Sequence, residues 1–365
     1  TVLGEIESED LGFVDIHTHI NLKMPAHRDY TFMSGTDFNH ENVDADKVKA
    51  VENGDLNWDD LRNGYWVFVK DNYVPQSYEV LKKELQDFKK AGGNTIVEPS
   101  PIGLRYKIDF IKKLAKDVGL NIVVSTGFYG DGLWPLEYVE KSETELMDIM
   151  YKQIQDGIDG TDVKAGQCKI ACNKYTDLEK KGLRSAARVA KDTGTCFQVH
   201  TGSHLGTERT LEMAKIVANE GMDLERVVFL HMDQFVTQTD LIRYITDNDD
   251  ASKLLLDTIR KILDTGATIS FDCIGTHEST EIYNKIVPND YQRTAALYTL
   301  LKEGYSKQIV VATDVWQKVY LRQYGGSGYC RVLDFVVPTL KKAGITDEMI
   351  YDITSGNAQR LLSKI

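Results

Sequence analysis

Two histidines near the N-terminus, in the segment Val14-Asp-Ile-His17-Thr-His19, are spaced so that they could share a metal ion. Residues i and i+2 of a strand point to the same face of a sheet. If the strand continues through His19, both imidazoles aim at one point, and imidazole suits zinc, manganese, iron, cobalt and nickel. The alternative is a strand end whose histidines only satisfy local hydrogen bonds.

Side chains of compatible chemistry follow apolar runs later in the chain. They are Lys169, His200, His231 and Asp314. A single strand-end histidine is more often a satisfied core residue, but four of them at the ends of apolar strands are hard to assign to chance. Asp233, two residues beyond His231, could orient a ligand or relay protons, or else cap the N-terminus of a helix.

Lys169 is unusual because it places a cation where the site should hold cations. Burial of an ammonium is unfavourable and lowers its pKa. The resulting neutral amine is a nucleophile that carbon dioxide converts to a carbamate, and a carbamate can bridge two metals. The alternative is a lysine that pairs with a neighbouring acid.

Eight strands must position these side chains, and each is predicted from a short apolar run. They cover residues 12–18, 94–98, 121–126, 163–171, 196–200, 227–231, 267–272 and 308–313. Amphipathic patterns between and after them predict helices at about 79–91, 108–118, 142–156, 178–192, 207–220, 251–264, 290–303, 330–342 and 347–363.

Strict alternation of strands and helices predicts a parallel sheet with helices outside, and eight repeats fit a closed (β/α)8 barrel. Chemistry in such barrels gathers at the C-terminal ends of the strands. A doubly wound open sheet is the alternative, but no Gly-x-Gly-x-x-Gly follows the first strand. We predict one barrel domain over residues 1–365, with an insertion at about 20–78 near the mouth that could also form a homodimer contact.

Bulk composition excludes several classes of partner. The 365 residues carry 43 Lys and Arg against 55 Asp and Glu, a net charge of −12 without a basic tract, which argues against nucleic acid or an anionic membrane. No apolar run approaches the ~20 residues of a membrane span, and the N-terminus lacks signal-peptide features. Five scattered cysteines without a Cys-x-x-Cys pair indicate reduced thiols in a cytoplasmic protein.

Together these residues resemble the amidohydrolase superfamily, and more narrowly the phosphotriesterase-like family, which includes metal-dependent lactonases. The resemblance runs from about residue 12 to the C-terminus, outside the insertion. Its most specific pieces are Ala165-Gly-Gln-Cys-Lys169, Val199-His-Thr201, His231-Met-Asp233 and Ser355-Gly-Asn-Ala-Gln-Arg360.

The resemblance implies two divalent metal ions. His17, His19 and Asp314 would bind the more buried ion. His200 and His231 would bind the more exposed one. Zinc is the expected metal, with manganese or cobalt as alternatives.

The resemblance also implies that carboxylated Lys169 bridges the two ions together with a hydroxide. Two cations lower the pKa of the shared water, and the hydroxide attacks the substrate carbonyl or phosphoryl group. Asp314 would then accept the proton and pass it to the leaving group.

The loop after Asp314 carries Lys318, Tyr320 and Arg322, which could bind a phosphate. Its stretch from Tyr320 to Gly326 resembles the branch of the family that hydrolyses phosphorylated sugar lactones. An arginine that the branch places three residues after the aspartate is Gln317 here, so Lys318 or Arg322 would have to substitute. The alternative is a solvated basic loop. We therefore predict hydrolysis of a small phosphorylated aldono-1,4-lactone.

Other functions use the same ligand set. Organophosphate triester hydrolysis prefers a large apolar pocket, which the polar, basic loop disfavours. A metal-dependent nuclease lacks support from the net charge. Cyclic amide hydrolysis shares the metal ligands, although the segments around Lys169 and Asp314 resemble those enzymes less. From a different class, the chain could be a metal-stabilised binding protein without turnover, which the complete ligand set disfavours.

Overall fold

Eight short parallel strands form the centre of the protein. The computed structural model describes residues 1–23, 43–236, 256–276 and 287–364. The strands are β1 Val14–Asp15, β2 Thr95–Glu98, β3 Asn121–Phe128, β4 Gln167–Ala171, β5 Cys196–His200, β6 Val227–Phe229, β7 Thr268–Phe271 and β8 Ile309–Val311. Each strand pairs in parallel with the next one in the sequence, from β1 to β8.

The first and last strands meet just beyond their ends. The backbone N–H of Asp314 donates to the carbonyl of His17, and the N–H of His19 donates to the carbonyl of Val315, both at 3.0 Å. The Thr18 hydroxyl accepts a hydrogen bond from the Val315 N–H at 2.9 Å. We call this contact the seam. It brings the two edges of the sheet together, and the predicted (β/α)8 barrel is confirmed.

Each predicted strand overlaps an observed one, but several are shorter. Regular pairing in β1 ends at Asp15, so the expectation that the strand continues through His19 is wrong. The backbone there bonds alternately to both neighbours, since Thr18 N donates to the β2 residue Val97 at 3.1 Å while His19 N turns to the seam. His231 lies outside β6 for another reason, because its φ of 59° is left-handed.

Helices surround the sheet, as the amphipathic patterns predict. They are α1 Ala45–Val51, α2 Trp58–Asn63, α3 Tyr78–Lys90, α4 Ile108–Val118, α5 Leu136–Val139, α6 Glu143–Gln155, α7 Asp177–Thr193, α8 Gly206–Asn219, α9 Asp257–Leu263, α10 Asp290–Lys302, α11 Val337–Lys342, α12 Asp347–Tyr351 and α13 Asn357–Leu362. Residues 251–255 of the helix predicted at 251–264 lie outside the described residues. The last two predicted helices each contain a π-helical segment, Val332–Val336 and Asp352–Gly356.

Alternation along the strands separates two apolar clusters. The larger one contains Ile122 and Val124 of β3 and packs against the helices. The smaller one contains Val123, from the opposite face of the same strand, and includes Leu361 of α13. Because neighbouring strand residues point to opposite faces, the smaller cluster fills the barrel interior.

Part of the predicted insertion, residues 24–42, lies outside the described residues. The remainder forms α1, α2 and two 3-10 turns, Tyr65–Phe68 and Lys70–Tyr73. Its aromatic rings pack on the loop that follows β8 (residues 312–329, the β8 loop). The ring centroids of Trp66 and Tyr320 are 5.9 Å apart, and those of Tyr73 and Trp316 are 5.7 Å apart. The insertion therefore lies against the C-terminal end of β8.

Candidate metal centre

Three predicted ligands meet at the seam. The Nε2 atoms of His17 and His19 lie 3.4 and 3.5 Å from Oδ1 of Asp314. All three side chains are buried. Two ligands of one ion at bond lengths of about 2.1 Å are about 3.0–3.4 Å apart, so each histidine is placed to share a divalent cation with Asp314. We call His17, His19 and Asp314 the seam half-site. The structure also brings ligand atoms of His17, His231 and Asp314 within 4.8 Å of one another.

Hydrogen bonds to uncharged side chains orient both seam rings, and the Glu98 carboxylate also lies 3.5 Å from Nδ1 of His19. Nδ1 of His17 lies 3.0 Å from Oε1 of Gln198, whose Nε2 donates to the carbonyl of Ile16 at 2.7 Å. An amide oxygen only accepts, so His17 carries its proton on Nδ1 and leaves Nε2 free to ligate. Nδ1 of His19 lies 2.8 Å from the hydroxyl of Ser100, which itself bonds to the Glu98 carboxylate. Such partners orient metal-binding imidazoles.

The remaining two histidines meet across β5 and β6. Nε2 of His231 is 2.7 Å from Nδ1 of His200. We call this pair the rim half-site. Asp272, at the end of β7, accepts from both Nδ1 and the backbone N–H of His231, at 2.8 and 3.0 Å. The hydroxyl of Tyr129 lies 3.3 Å from Nδ1 of His200. The two rings would need to separate by less than about 1 Å to share an ion.

Lys169 lies on β4 and pairs in register with Gln198 of β5, the strand that ends at His200. The Lys169 side chain is fully buried, and its Nζ has no hydrogen-bond partner among the described residues. Burial lowers the pKa of this amine to about 7, against the opposing charge of Asp314 and Asp272. The Lys169 charge adds to burial in lowering the pKa of both His17 and His200. A buried, partnerless amine among metal ligands matches the requirement for a carbamate bridge.

Close packing of β3 positions the Lys169 backbone. Gly127 pairs in register with Lys169 and has a φ of +116°. A Cβ atom at this position would lie 1.9 Å from the Lys169 carbonyl oxygen, so only glycine fits.

Burial also sets the charge of the other ligands. It lowers the pKa of His17 and His200 well below the ordinary value, which keeps both rings neutral. Burial likewise raises the pKa of Asp314. For His231, the effect of burial is outweighed by Asp272, so its pKa is raised.

Backbone strain coincides with the ligands. Four non-glycine residues among those described have a positive φ, and two of them are His231, at 59°, and Asp314, at 44°. Left-handed backbone is unfavourable for these residue types and persists where the surrounding structure enforces it, which is common at functional sites.

Asp233 is fully buried. Its Oδ2 accepts from the N–H of Cys273 at 2.9 Å and pairs with Nε of Arg293 at 3.0 Å. Burial raises its pKa to about 6, opposed by Arg293. The helix-cap alternative is wrong, because the short 3-10 turn there is capped by His231 without a side-chain bond. The carboxylate instead ties the loop after His231 to the loop after β7.

The three predicted substrate residues have protein partners. Nζ of Lys318 lies 2.5 Å from Oδ2 of Asp71 in the insertion. Tyr320 is buried, and its ring packs against Trp66. Arg322 pairs with the carboxylate of Asp334. Lys318 lines a cleft together with His19, whereas the described partners of Arg322 do not belong to either half-site.

Sequence reasoning missed the residues that orient the ligands. Asp272 had a usable signal, because it follows the apolar end of β7 as Asp314 follows β8. Gln198 is two residues before His200 and therefore shares its strand face. Ser100 and Tyr129 each follow a strand end, but nothing in their residue type indicates a metal site.

Comparison with known proteins agrees with this geometry. A model of the Phosphotriesterase family matches residues 1–362. The chain belongs to this family. Proteins named N-acetyltaurine hydrolase from Salmo salar and Dictyostelium discoideum are 28% and 29% identical, over all of this chain and 97% of each relative. The crystal structure of a resiniferatoxin-binding protein from Rhodobacter sphaeroides matches with a TM-score of 0.82 and 24% identity, over 100% of this chain and 94% of that one.

The protein is accordingly a metal-dependent hydrolase of the phosphotriesterase family, whose members use binuclear metal centres. Its substrates are small molecules. In the described part of the chain, every helix is too short or too polar to cross a bilayer.

Proposed function

We propose that this protein uses two divalent metal ions to hydrolyse the acyl C–N bond of a small, anionic N-acyl amide. The proposal of a hydrolytic centre rests on the amine of Lys169, which is fully buried and has no hydrogen-bond partner in the described part of the chain. An unmodified ammonium there would repel cations, whereas a carbamate would attract them.

The proposed ligand assignment follows the two half-sites. His17, His19 and Asp314 hold one ion, and His200 and His231 hold the other. Carboxylation would join the Lys169 amine to carbon dioxide with loss of one proton, and the resulting carbamate would supply negatively charged oxygen ligands to both ions. Zinc is the first metal to test, followed by manganese and cobalt, because neutral imidazoles and carboxylates accept all three.

Two ions held in this way would make water nucleophilic at neutral pH and polarise the substrate carbonyl. The side chains then perform the remaining tasks. Asp314 accepts the proton released by water and returns it to the leaving amine. Asp272 and Gln198 keep the His231 and His17 rings in their ligating orientations. Hydrolysis breaks the acyl C–N bond, adds oxygen to the acyl carbon and releases a carboxylate and an amine.

Full-length similarity to proteins named N-acetyltaurine hydrolase supports the amide as first candidate. The second candidate is the phosphorylated aldono-1,4-lactone, and the position of Lys318 beside His19 in one cleft favours it. The pairing of Arg322 with Asp334 argues against it, because a phosphate would have to displace that carboxylate.

A substrate panel tests the proposal directly. Zinc-loaded protein would be offered N-acetyl-2-aminoethanesulfonate, N-acetyl amino acids, phosphorylated and plain aldonolactones, and a phosphotriester. Amine release and acid release would be followed in parallel. Highest kcat/KM on an anionic N-acyl amide is the expected result. Highest kcat/KM on a phosphorylated lactone would replace it with the second candidate, and binding without turnover of any compound would overturn hydrolysis.

Location and assembly are proposed on narrower grounds. The five cysteines are all buried and unpaired, which supports a reducing compartment such as the cytoplasm. A homodimer through the insertion is proposed because Trp58 is exposed there. Light scattering of wild type and Trp58→Ser would test it, since a dimer of this kind should weaken in the variant.

A further inference from the structure

A cleft opens beside the seam half-site, between the β8 loop, residues 20–22 and the segment 73–76 of the insertion. The residues relevant to ligand binding are His19, Gln76, Trp316, Gln317, Lys318 and Tyr73. His19 belongs to both the cleft and the proposed metal centre. A substrate whose carbonyl is at the metals therefore has this cleft as a neighbouring space for its other end.

Gln317 lines the cleft and carries an unused hydrogen-bond acceptor. Its side chain is only 3% exposed, and its Oε1 accepts no hydrogen bond from any described residue. A buried polar atom without a partner is unfavourable, and a ligand that brings a donor removes that penalty. Gln317 is three residues after Asp314, so the acceptor is connected to a ligand of the seam half-site by a very short segment.

Lys318, the next residue, supplies positive charge to the same cleft. Its ammonium lies 2.5 Å from Asp71 and 4.7 Å from the centre of the Tyr324 ring. An ammonium has three N–H donors, and the hydrogen bond to Asp71 occupies one of them. Asp71 therefore fixes the position of Lys318 and leaves donors for an additional anionic acceptor.

We propose that Gln317 and Lys318 form a subsite that recognises the leaving group of the substrate. Oε1 of Gln317 accepts a hydrogen bond from the N–H of the scissile amide. Lys318 binds an anionic group that lies a few bonds beyond this N–H in the leaving group. The matching ligand class is an N-acyl amino acid or N-acyl amino sulfonate. This inference rests on the proposed amide hydrolysis and adds a cause for it, because an ester or lactone has no N–H to offer Gln317.

The test uses a matched pair of substrates. One is N-acetyl-2-aminoethanesulfonate, and the other is its ester isostere, in which oxygen replaces the N–H. Neutral N-acetylethylamine reports the role of the anion. The variants are Gln317→Leu and Lys318→Met. Each is compared with wild type on the same substrate, so that the higher intrinsic reactivity of the ester cancels.

Matched controls lie at the other end of the same strand. Gln308 precedes β8 and donates to the carbonyls of Leu263 and Ala267, and Lys307 pairs with Asp352 at 2.6 Å. Gln308→Leu and Lys307→Met therefore remove the same residue types, far along the strand from the cleft. Any loss of stability in these control variants should lower kcat/KM on the amide and on the ester by the same factor.

Gln317→Leu is expected to lower kcat/KM on the amide at least about tenfold more than on the ester, because a buried site built around a hydrogen bond discriminates strongly when one partner is lost. Lys318→Met is expected to lower kcat/KM on both anionic substrates about tenfold or more, through KM, while leaving the neutral amide unchanged. Equal losses on amide and ester in Gln317→Leu, or equal losses with and without the anion in Lys318→Met, overturn the subsite.

A binding measurement separates this inference from the proposed function. Calorimetric titration of metal-depleted protein should give tighter binding of the amide than of the ester, and Gln317→Leu should abolish the difference. If wild type hydrolyses the amide but binds the pair alike, the subsite alone is wrong. If wild type prefers the amide in binding yet hydrolyses neither compound, the proposed function is wrong and the subsite stands. If neither preference exists, both are wrong.

Discussion

The seam half-site and the rim half-site hold their histidines by different means. In the seam half-site, His17 and His19 contact the neutral groups of Gln198 and Ser100, and both neighbouring backbones join the seam. In the rim half-site, His231 contacts the charged Asp272, whereas the contact of His200 to Tyr129 is 3.3 Å long. His200 is also the more exposed of the four rings.

This difference predicts that the two half-sites bind metal ions with unequal affinity. Each seam histidine already has the separation from Asp314 that a shared ion requires, whereas the rim nitrogens must move apart. A preorganised site loses less free energy on binding. We therefore expect the seam half-site to bind its ion more tightly, and the variants below test that order.

The largest effect is expected for Lys169, which we propose as a ligand for both half-sites. Lys169→Ala should reduce bound metal from about two ions per chain to fewer than one, with loss of activity. Lys169→Arg should fail equally, since a guanidinium stays charged and forms no carbamate. Elemental analysis and turnover are measured together, and short carboxylic acids added to Lys169→Ala should restore part of both. A variant that keeps two ions and wild-type turnover would show that the lysine is not a bridge.

Asp272→Asn should act on the rim half-site alone. The amide oxygen still accepts from His231, but the negative charge that supports the ring is lost, so rim affinity should fall by up to about 100-fold. Titration against a metal chelator resolves the two binding steps. Asp352→Asn, which removes a buried acid near the N-terminal end of β8, is the control. Equal weakening of both steps would contradict separate half-sites.

Ser100→Ala should act on the seam half-site, and more weakly. It removes the hydroxyl that links His19 to Glu98, and about a tenfold loss of seam affinity is expected. The same chelator titration measures it. Ser306→Ala is well matched, because Ser306 also donates to a buried carboxylate, Asp352, at 2.8 Å. If the rim binding step weakened instead, the assignment of Ser100 to the seam half-site would be wrong.

Tyr129→Phe should have the smallest effect. The hydroxyl is 3.3 Å from His200, so its loss should change rim affinity by no more than about threefold. A tenfold or larger loss in the chelator titration would place Tyr129 among the groups that hold the ion. The histidines of the rim half-site would then be oriented as firmly as those of the seam half-site.

The strands and the proposed ligands could be predicted from local sequence. An apolar run followed by His200, His231 or Asp314 contains both the element and the chemistry in a few residues. The bends could not, because the left-handed backbone of His231 and Asp314 depends on neighbouring strands. The prediction of a regular strand through His19 failed for the same reason.

Partners distant in sequence were also unpredictable. The charge of Lys318 is visible in the β8 loop, but its counter-ion Asp71 is 247 positions earlier. Asp233 illustrates the same limit, since its pairing with Arg293 depends on how α10 packs. Residue type indicated which side chains could bind a ligand or take part in catalysis. Only the fold showed which of them already pair with another side chain of the protein.

The seam also determines when the proposed metal centre can exist. Thr18 and Val315, which it joins, are 297 positions apart, among the most distant contacts in the chain. Contacts of such separation close late because the intervening chain must first be ordered. During synthesis the His-x-His segment leaves the ribosome long before Asp314 does. Loading of the proposed seam ion would therefore wait until Asp314 has been made, and the bound ion would then hold the end of β1 to the end of β8.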